Sequence, residues 1–207
     1  MLITAVEPRK KMFSAVYIDG EFAFKLDTQV LIENHIRAGV EIDDEQLKEI
    51  VDLSDNRRAK NKALNLLAYK DRTKKELIDR ISEQYSKESA VIATNRMEEL
   101  GLVDDEKYAR KMAQQLLEKK CMPKRAVKYK LIEKGIDREL IEDILCELEV
   151  EPKEQIQKLL ETKYRNKLYD EQSRKKTTQA LQRMGYSWYD IKPIIDEYIE
   201  DDEEYMY

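Results

Sequence analysis

Two stretches of this chain, fifty residues apart, read as copies of one another. In "KLIEKGIDRELIEDILCELE" and "ALQRMGYSWYDIKPIIDEYI", Leu131 aligns with Leu181, Gly135 with Gly185, Ile141 with Ile191, Ile144 with Ile194 and Leu145 with Ile195. In each copy a helix ends at the glycine, a hydrophobic residue follows (Ile136, Tyr186), and a capping residue (Asp137, Ser187) opens the next helix. One period earlier, "TKKELIDRISEQYSKESAVIATNRMEELG" is a weaker third copy, with Ile81 at the place of Leu131. It opens on a capping box, Thr73 to Glu76, in which side-chain oxygens satisfy free amides at the helix start. Such a repeat narrows the choice of fold, because units that cannot bury an apolar face alone stack on their neighbours.

The composition agrees. Charged residues make up 39% of the chain against 42% hydrophobic, with five Gly and four Pro, which suits many helices with narrow apolar stripes. A longer helix leads each pair. In "DDEKYARKMAQQLLEKK", Tyr108, Ala109, Met112, Ala113, Leu116 and Leu117 lay one stripe along it. The N-terminus differs: Phe13 to Ile18 and Glu21 to Leu26 are β-prone runs joined by Asp19-Gly20, a preferred two-residue hairpin turn. Ile3 to Val6 can add a third strand, and a helix from about Thr28 to Arg37, closed by Gly39, follows.

The expected fold is therefore mainly α: three tandem three-helix repeats in an elongated array, preceded by a small β-hairpin and helix cap. The boundaries are 1–55 for the cap, then 56–102, 103–150 and 151–207 for the repeats, the last with the acidic tail "DEYIEDDEEYMY". The cap is expected to be separable. Pro193 lies inside the last predicted helix and should kink it or delay its start.

Several functions are poorly supplied. Cys121 and Cys146 form no metal-ligand spacing and His35 is the single histidine, so neither a zinc site nor a Ser-His-Asp triad is expected. No nucleophile or phosphate-loop motif points to an enzyme or a cofactor. Asp104-Asp105-Glu106 reads as an N-cap with an acidic first turn rather than a metal site. No apolar run approaches a membrane span and no leader precedes the first strand, so a cytoplasmic protein is expected. Both cysteines read as reduced thiols, Cys146 buried beside its apolar stripe, and His35 as an ordinary helix residue. Trp188 is either module packing or an exposed anchor.

The net charge of -5 argues against bulk attraction to nucleic acid, yet the cations are clustered. Lys119, Lys120, Lys124, Arg125, Lys128, Lys130 and Lys134 fall in one helix end and the next helix, with Tyr129 among them. Only Val127 and Leu131 make an obvious core contact there, so most of that surface should be wet and cationic. It would meet DNA phosphates or an acidic protein strip. The alternative is a solvated face neutralised in part by Glu118 and Glu133. Arg174, Lys175 and Lys176 recur at a comparable place, and Arg72, Lys74 and Lys75 echo them weakly.

Taken in order, "ALNLLAYKDRTKKEL", "RMEELGLVDDEKYAR", "KLIEKGIDRELIEDIL" and "ALQRMGYSWYDIKPII" resemble the RecX regulatory proteins over about residues 57 to 200. The N-terminal cap resembles the extension of longer members. The chain departs from the pattern in "EKKCMPKRAV", where Cys121-Met122 stands in place of a glycine, and at Pro193. The resemblance implies a regulator lying in the groove of the RecA filament on single-stranded DNA, and a monomer that is not an enzyme is expected. There it would lower ATP hydrolysis and strand exchange and hinder cleavage of the SOS repressor. Single-stranded DNA is implied as a partner, directly or through RecA. The competing reading is a DNA-binding regulator built from helix-turn-helix-like modules. Its third helices would be acidic ("DRELIEDILCELE"), which argues against base reading.

Overall fold

The computed structural model describes residues 1–10, 12–168 and 170–204, except for the side chains of 166 and 199–204. The end of the acidic tail thus lies outside the described residues. Among the described residues the protein is 66% helical, with ten helices and one small sheet. It divides into two units, Met1–Asp104 and Asp105–Tyr207.

In the first unit, β1 (Ile3–Arg9), β2 (Phe13–Ile18) and β3 (Glu21–Asp27) form an antiparallel sheet in sequence order. Asp19 and Gly20 both take positive φ, 50° and 89°, as the predicted hairpin turn requires. Ile3, Val16 and Leu26 face a core with Val30 and Leu31 of α1 (Thr28–Glu33). That helix is shorter than expected. His35 takes φ 57°, its amide donates to the Ile32 carbonyl, and the Ile36 amide reaches back to Leu31 at 2.8 Å. His35 is therefore the left-handed residue that ends the helix, not a helix residue.

The next helix, α2 (Asp44–Tyr69), starts at a reciprocal capping box between Asp43 and Gln46 that the sequence reading passed over. The division expected near residue 55 falls inside it. Ile50 packs into the core under the sheet, whereas Ala59 and Ala63 pack with α3 (Lys74–Ser82) and α4 (Lys87–Glu99). Two polar links fasten this junction. The buried Ser54 hydroxyl accepts from the Asp27 amide at 2.9 Å, and the Asp27 carboxylate caps α1 with Arg57 Nε 3.5 Å away. Arg58 stacks between Phe13 of β2, at 5.1 Å, and Tyr85 beyond α3, at 5.2 Å. Arg58→Ala removes two cation–π contacts and a packed stem, and should destabilise the fold by about 1–3 kcal/mol. Urea unfolding checks this: an unchanged midpoint would show that the cap and the following helices do not depend on Arg58.

The core of α2, α3 and α4 is closed by Leu77, Ile81, Ala90, Ala93, Met97 and Val103. Thr73 caps α3 through its hydroxyl, which accepts from the Glu76 amide at 3.2 Å.

The second unit holds the two clearer copies of the repeat. The first runs α5 (Asp105–Gln114), α6 (Lys124–Glu133) and α7 (Arg138–Glu147). The second runs α8 (Pro152–Leu159), α9 (Glu171–Met184) and α10 (Trp188–Glu204). Asp104 stands at the N-cap position of α5, and Asp105 and Glu106 fill its first turn. Both lead helices end in a wider π turn, Gln115–Lys119 and Leu160–Tyr164. Ala109, Ala113, Leu116 and Leu117 are buried along the predicted stripe, with Tyr108 and Met112 packed against them. Repeat partners Leu131 and Leu181, Ile136 and Tyr186, and Ile141 and Ile191 are all buried. Cys146, expected to be buried, is exposed, because it lies off the face defined by Ile141, Ile144 and Leu145; Cys121 is the buried cysteine.

Pro193 stays inside α10 without delaying its start at Trp188. A proline there lacks the amide that would bond the Tyr189 carbonyl. Tyr189 is 87% exposed and Pro193 is also exposed, so water can take that place.

Candidate functional site

The first turn of α6 lacks the features that usually stabilise a helix start. Its N-cap is Pro123, which offers no side-chain acceptor, and no acidic residue occupies its first turn. Instead Lys124 and Arg125 stand there, adding positive charge to the positive end of the helix dipole. By contrast Asp170 caps α9 through the Ser173 amide at 2.8 Å, and Glu171 follows it. The Ser173 hydrogen bonds hold the Asp170 carboxyl below its usual range. The cations at the start of α6 thus keep their field, while those of α9 are partly offset.

Helical spacing puts Arg125, Lys128, Tyr129 and Ile132 on one face, and with Arg138 of α7 they line a shallow depression. Tyr129 is 58% exposed there. Lys128 forms an ion pair with Glu142 of α7, so its neutralising partner comes from the next helix rather than from its own. The helix is less wet than expected: Lys124, Lys128, Lys130 and Lys134 are half-buried, whereas Lys119, Lys120 and Arg125 are exposed. Lys130 and Lys134 lie away from the depression, one helical turn apart.

The second cluster is dispersed. Arg174 Nε donates to the Leu168 carbonyl at 2.7 Å and so holds the turn before α9. Lys175, the repeat partner of Arg125, pairs with Glu171 at 2.6 Å and holds that carboxyl below its usual range. Lys176 lines a different depression with Tyr164 and Lys167. At the place corresponding to Tyr129 and Ile132 the third module carries Gln179 and Gln182, beside Arg183. Two of the five positions that line the first depression thus recur fifty residues on, as glutamines in place of Tyr129 and Ile132. In the weak echo, Lys74 pairs with Glu98 at 2.5 Å.

Arg138 was not singled out in the sequence, although it follows Asp137, whose carboxylate accepts from the Glu139 amide at 2.9 Å and caps α7. Arg110 was missed too. It donates to Glu106 at 3.0 Å and to Glu147, tying α5 to α7. These bonds hold the Glu147 carboxyl below its usual range and the guanidinium above its own. The signal available was Glu106 and Arg110 four residues apart on the polar face. Trp188 is 49% exposed at the start of α10. Among the described residues no three metal-ligating side chains come together, and no helix is long and apolar enough to cross a membrane.

Two family models match: "RecX, second three-helix domain" over residues 104–145 and "RecX, first three-helix domain" over residues 59–91. The regulatory protein RecX of Caldanaerobacter subterraneus subsp. tengcongensis is 34% identical over 147 residues, covering 70% of this chain and 74% of that relative. The chain belongs to the RecX family. The RecX of Clostridioides difficile is 27% identical over 207 residues, 98% of each chain. A crystal structure of regulatory protein RecX superposes with a TM-score of 0.63 at 26% identity, covering 94% of this chain and 98% of that one. The first model covers the face just described, since α6 and Arg138 fall within it.

Before α6, where the resemblance implies a glycine, the chain carries Cys121-Met122. Cys121 takes φ 46°, the left-handed conformation that glycine adopts freely. For another residue this costs about 1–2 kcal/mol. Burial of the side chain and two hydrogen bonds nearby offset it. The Tyr186 hydroxyl lies 2.8 Å from the Cys121 carbonyl, and the Met122 amide donates to Leu116 at 3.0 Å.

Proposed function

We propose that this RecX-family regulator acts on the RecA filament assembled on single-stranded DNA. It would lower ATP hydrolysis and strand exchange and hinder cleavage of the SOS repressor, working in the cytoplasm as a monomer without catalysis of its own. The observation that carries this reading is the start of α6. An uncapped helix end bearing Lys124 and Arg125 is unfavourable for the helix itself, so the charge is better explained by an anionic partner. Lys119 and Lys120 extend the same cationic stretch, and Lys130 and Lys134 flank it. Arg174, Lys175 and Lys176 would add a weaker contact in a third module, taken as 151–207 beside modules at 56–102 and 103–150 and a cap at 1–55. A filament repeats along its axis, and serial modules can touch it at several points, each later contact being intramolecular.

The helix-turn-helix alternative meets an acidic α7, with Glu139, Glu142, Asp143 and Glu147 where a base-reading helix needs donors. Retention on immobilised single strands coated with ATP-loaded RecA, against bare duplex DNA, separates the two. Strong retention on the filament alone is the expected result. Equal or better retention on the duplex would sink the proposal.

A further inference from the structure

The core side of the N-terminal sheet is closed, but its outer face has features that packing does not use. Ala15 lies at the centre of β2, with Glu7 of β1 and Lys25 of β3 as its cross-strand neighbours on the same face. Its small side chain floors a slot whose walls are Arg9, Lys10, Phe22 and Lys25. Phe22 is 60% exposed and meets Tyr17 edge to face, centroids 5.9 Å apart, so one face of its ring can accept a partner. Lys25 already lies 4.6 Å above the Phe13 ring and Arg58 stacks on the same ring, so Phe13 is covered and Phe22 is the available aromatic. Arg9 is held at the rim by Glu7 at 2.7 Å and Tyr17 at 3.2 Å. Glu7 therefore orients one cation, and Lys10 and Lys25 complete the rim.

An isolated exposed Phe needs no explanation. A Phe standing over a slot ringed by three cations on a rigid sheet is a different arrangement. A flat, uncharged base can stack on the ring while its phosphates meet the cations, which is how sheets hold single strands. Duplex bases are already stacked and paired and cannot enter. We propose that the outer face of this sheet, at Phe22 with Arg9, Lys10 and Lys25, is a binding site for single-stranded nucleic acid. This inference stands apart from the filament reading, since it needs no RecA.

The test is fluorescence anisotropy of a labelled oligothymidylate titrated with the full chain. Stacking of one base on a ring is worth roughly tenfold in affinity, so Phe22→Ala should weaken binding by about that factor and Phe22→Trp should restore it. Arg9→Ala with Lys25→Ala should weaken binding and flatten its salt dependence. Circular dichroism establishes that each variant is folded, which exposure of Phe22 favours. A folded Phe22→Ala chain that binds the strand like the parent overturns the proposal. So does a duplex, or an acidic peptide, that displaces the strand at equal charge concentration. Loss of strand binding only on charge reversal in α6 would also overturn it and move the strand to that helix.

Discussion

Replacing Tyr186 by alanine is expected to cost the fold about 3–5 kcal/mol, the range for emptying a large buried aromatic site. Tyr186 joins the second copy of the repeat to the turn before α6. Its ring is buried among Cys121, Ile156, Leu160 and Leu181, and its hydroxyl lies 2.8 Å from the Cys121 carbonyl and 2.9 Å from Gln155 Oε1. Gln155 in turn donates to the Leu117 carbonyl at 2.8 Å and to Met122 at 3.2 Å. Tyr186→Phe keeps the ring and removes the donor, leaving buried acceptors without it, and should cost about 1–3 kcal/mol. The two variants separate packing from hydrogen bonding.

The same site gives a pH dependence. Burial pushes the Tyr186 phenol up from its ordinary value, with smaller contributions from Cys121 and Asp190. A phenol of raised pKa supports the fold fully below its unfolded value near 10 and loses that support as pH climbs toward the folded value. Between those limits the parent should lose up to about 1.4 kcal/mol of stability per pH unit from this one proton. Tyr186→Phe should lack this increment. Guanidinium unfolding at neutral and alkaline pH measures both effects. Equal stability of parent and Tyr186→Phe at neutral pH would show that the buried network contributes nothing.

The second large effect concerns binding. Reversing Lys124, Arg125 and Lys128 to Glu should weaken retention on RecA-coated single strands about a hundredfold at low salt, taking about 1 kcal/mol for each contact. The difference should shrink as salt is added. Stability should move little, and the directions oppose one another. Glu at the first two positions complements the dipole of α6, while Glu at 128 faces Glu142 in place of an ion pair. Binding that falls while the melting temperature holds assigns the cations to the partner. A folded triple variant with parental affinity at low salt would return them to the solvated surface.

Much of this molecule is written in its local pattern. The stripe from Tyr108 to Leu117 and the fifty-residue correspondence identify buried side chains, because each turn of helix returns an apolar residue to one face. Asp19-Gly20 specifies the hairpin because the turn needs two positive φ values. These features depend on residues within a few positions of one another. Tertiary structure alone decides the others. His35 ends α1, and Cys121 adopts a glycine's conformation, because surrounding hydrogen bonds and packing outweigh the local preference against positive φ. The continuity of α2 through residue 55 serves two cores at once, which no single period reveals. Which cations remain available is settled by the partners the fold supplies: Glu142 takes Lys128 and Glu147 takes Arg110 from other helices, while the Leu168 carbonyl takes Arg174 across the turn before α9. Periodicity reports the face a residue occupies; the charge that face presents depends on what the fold brings opposite it.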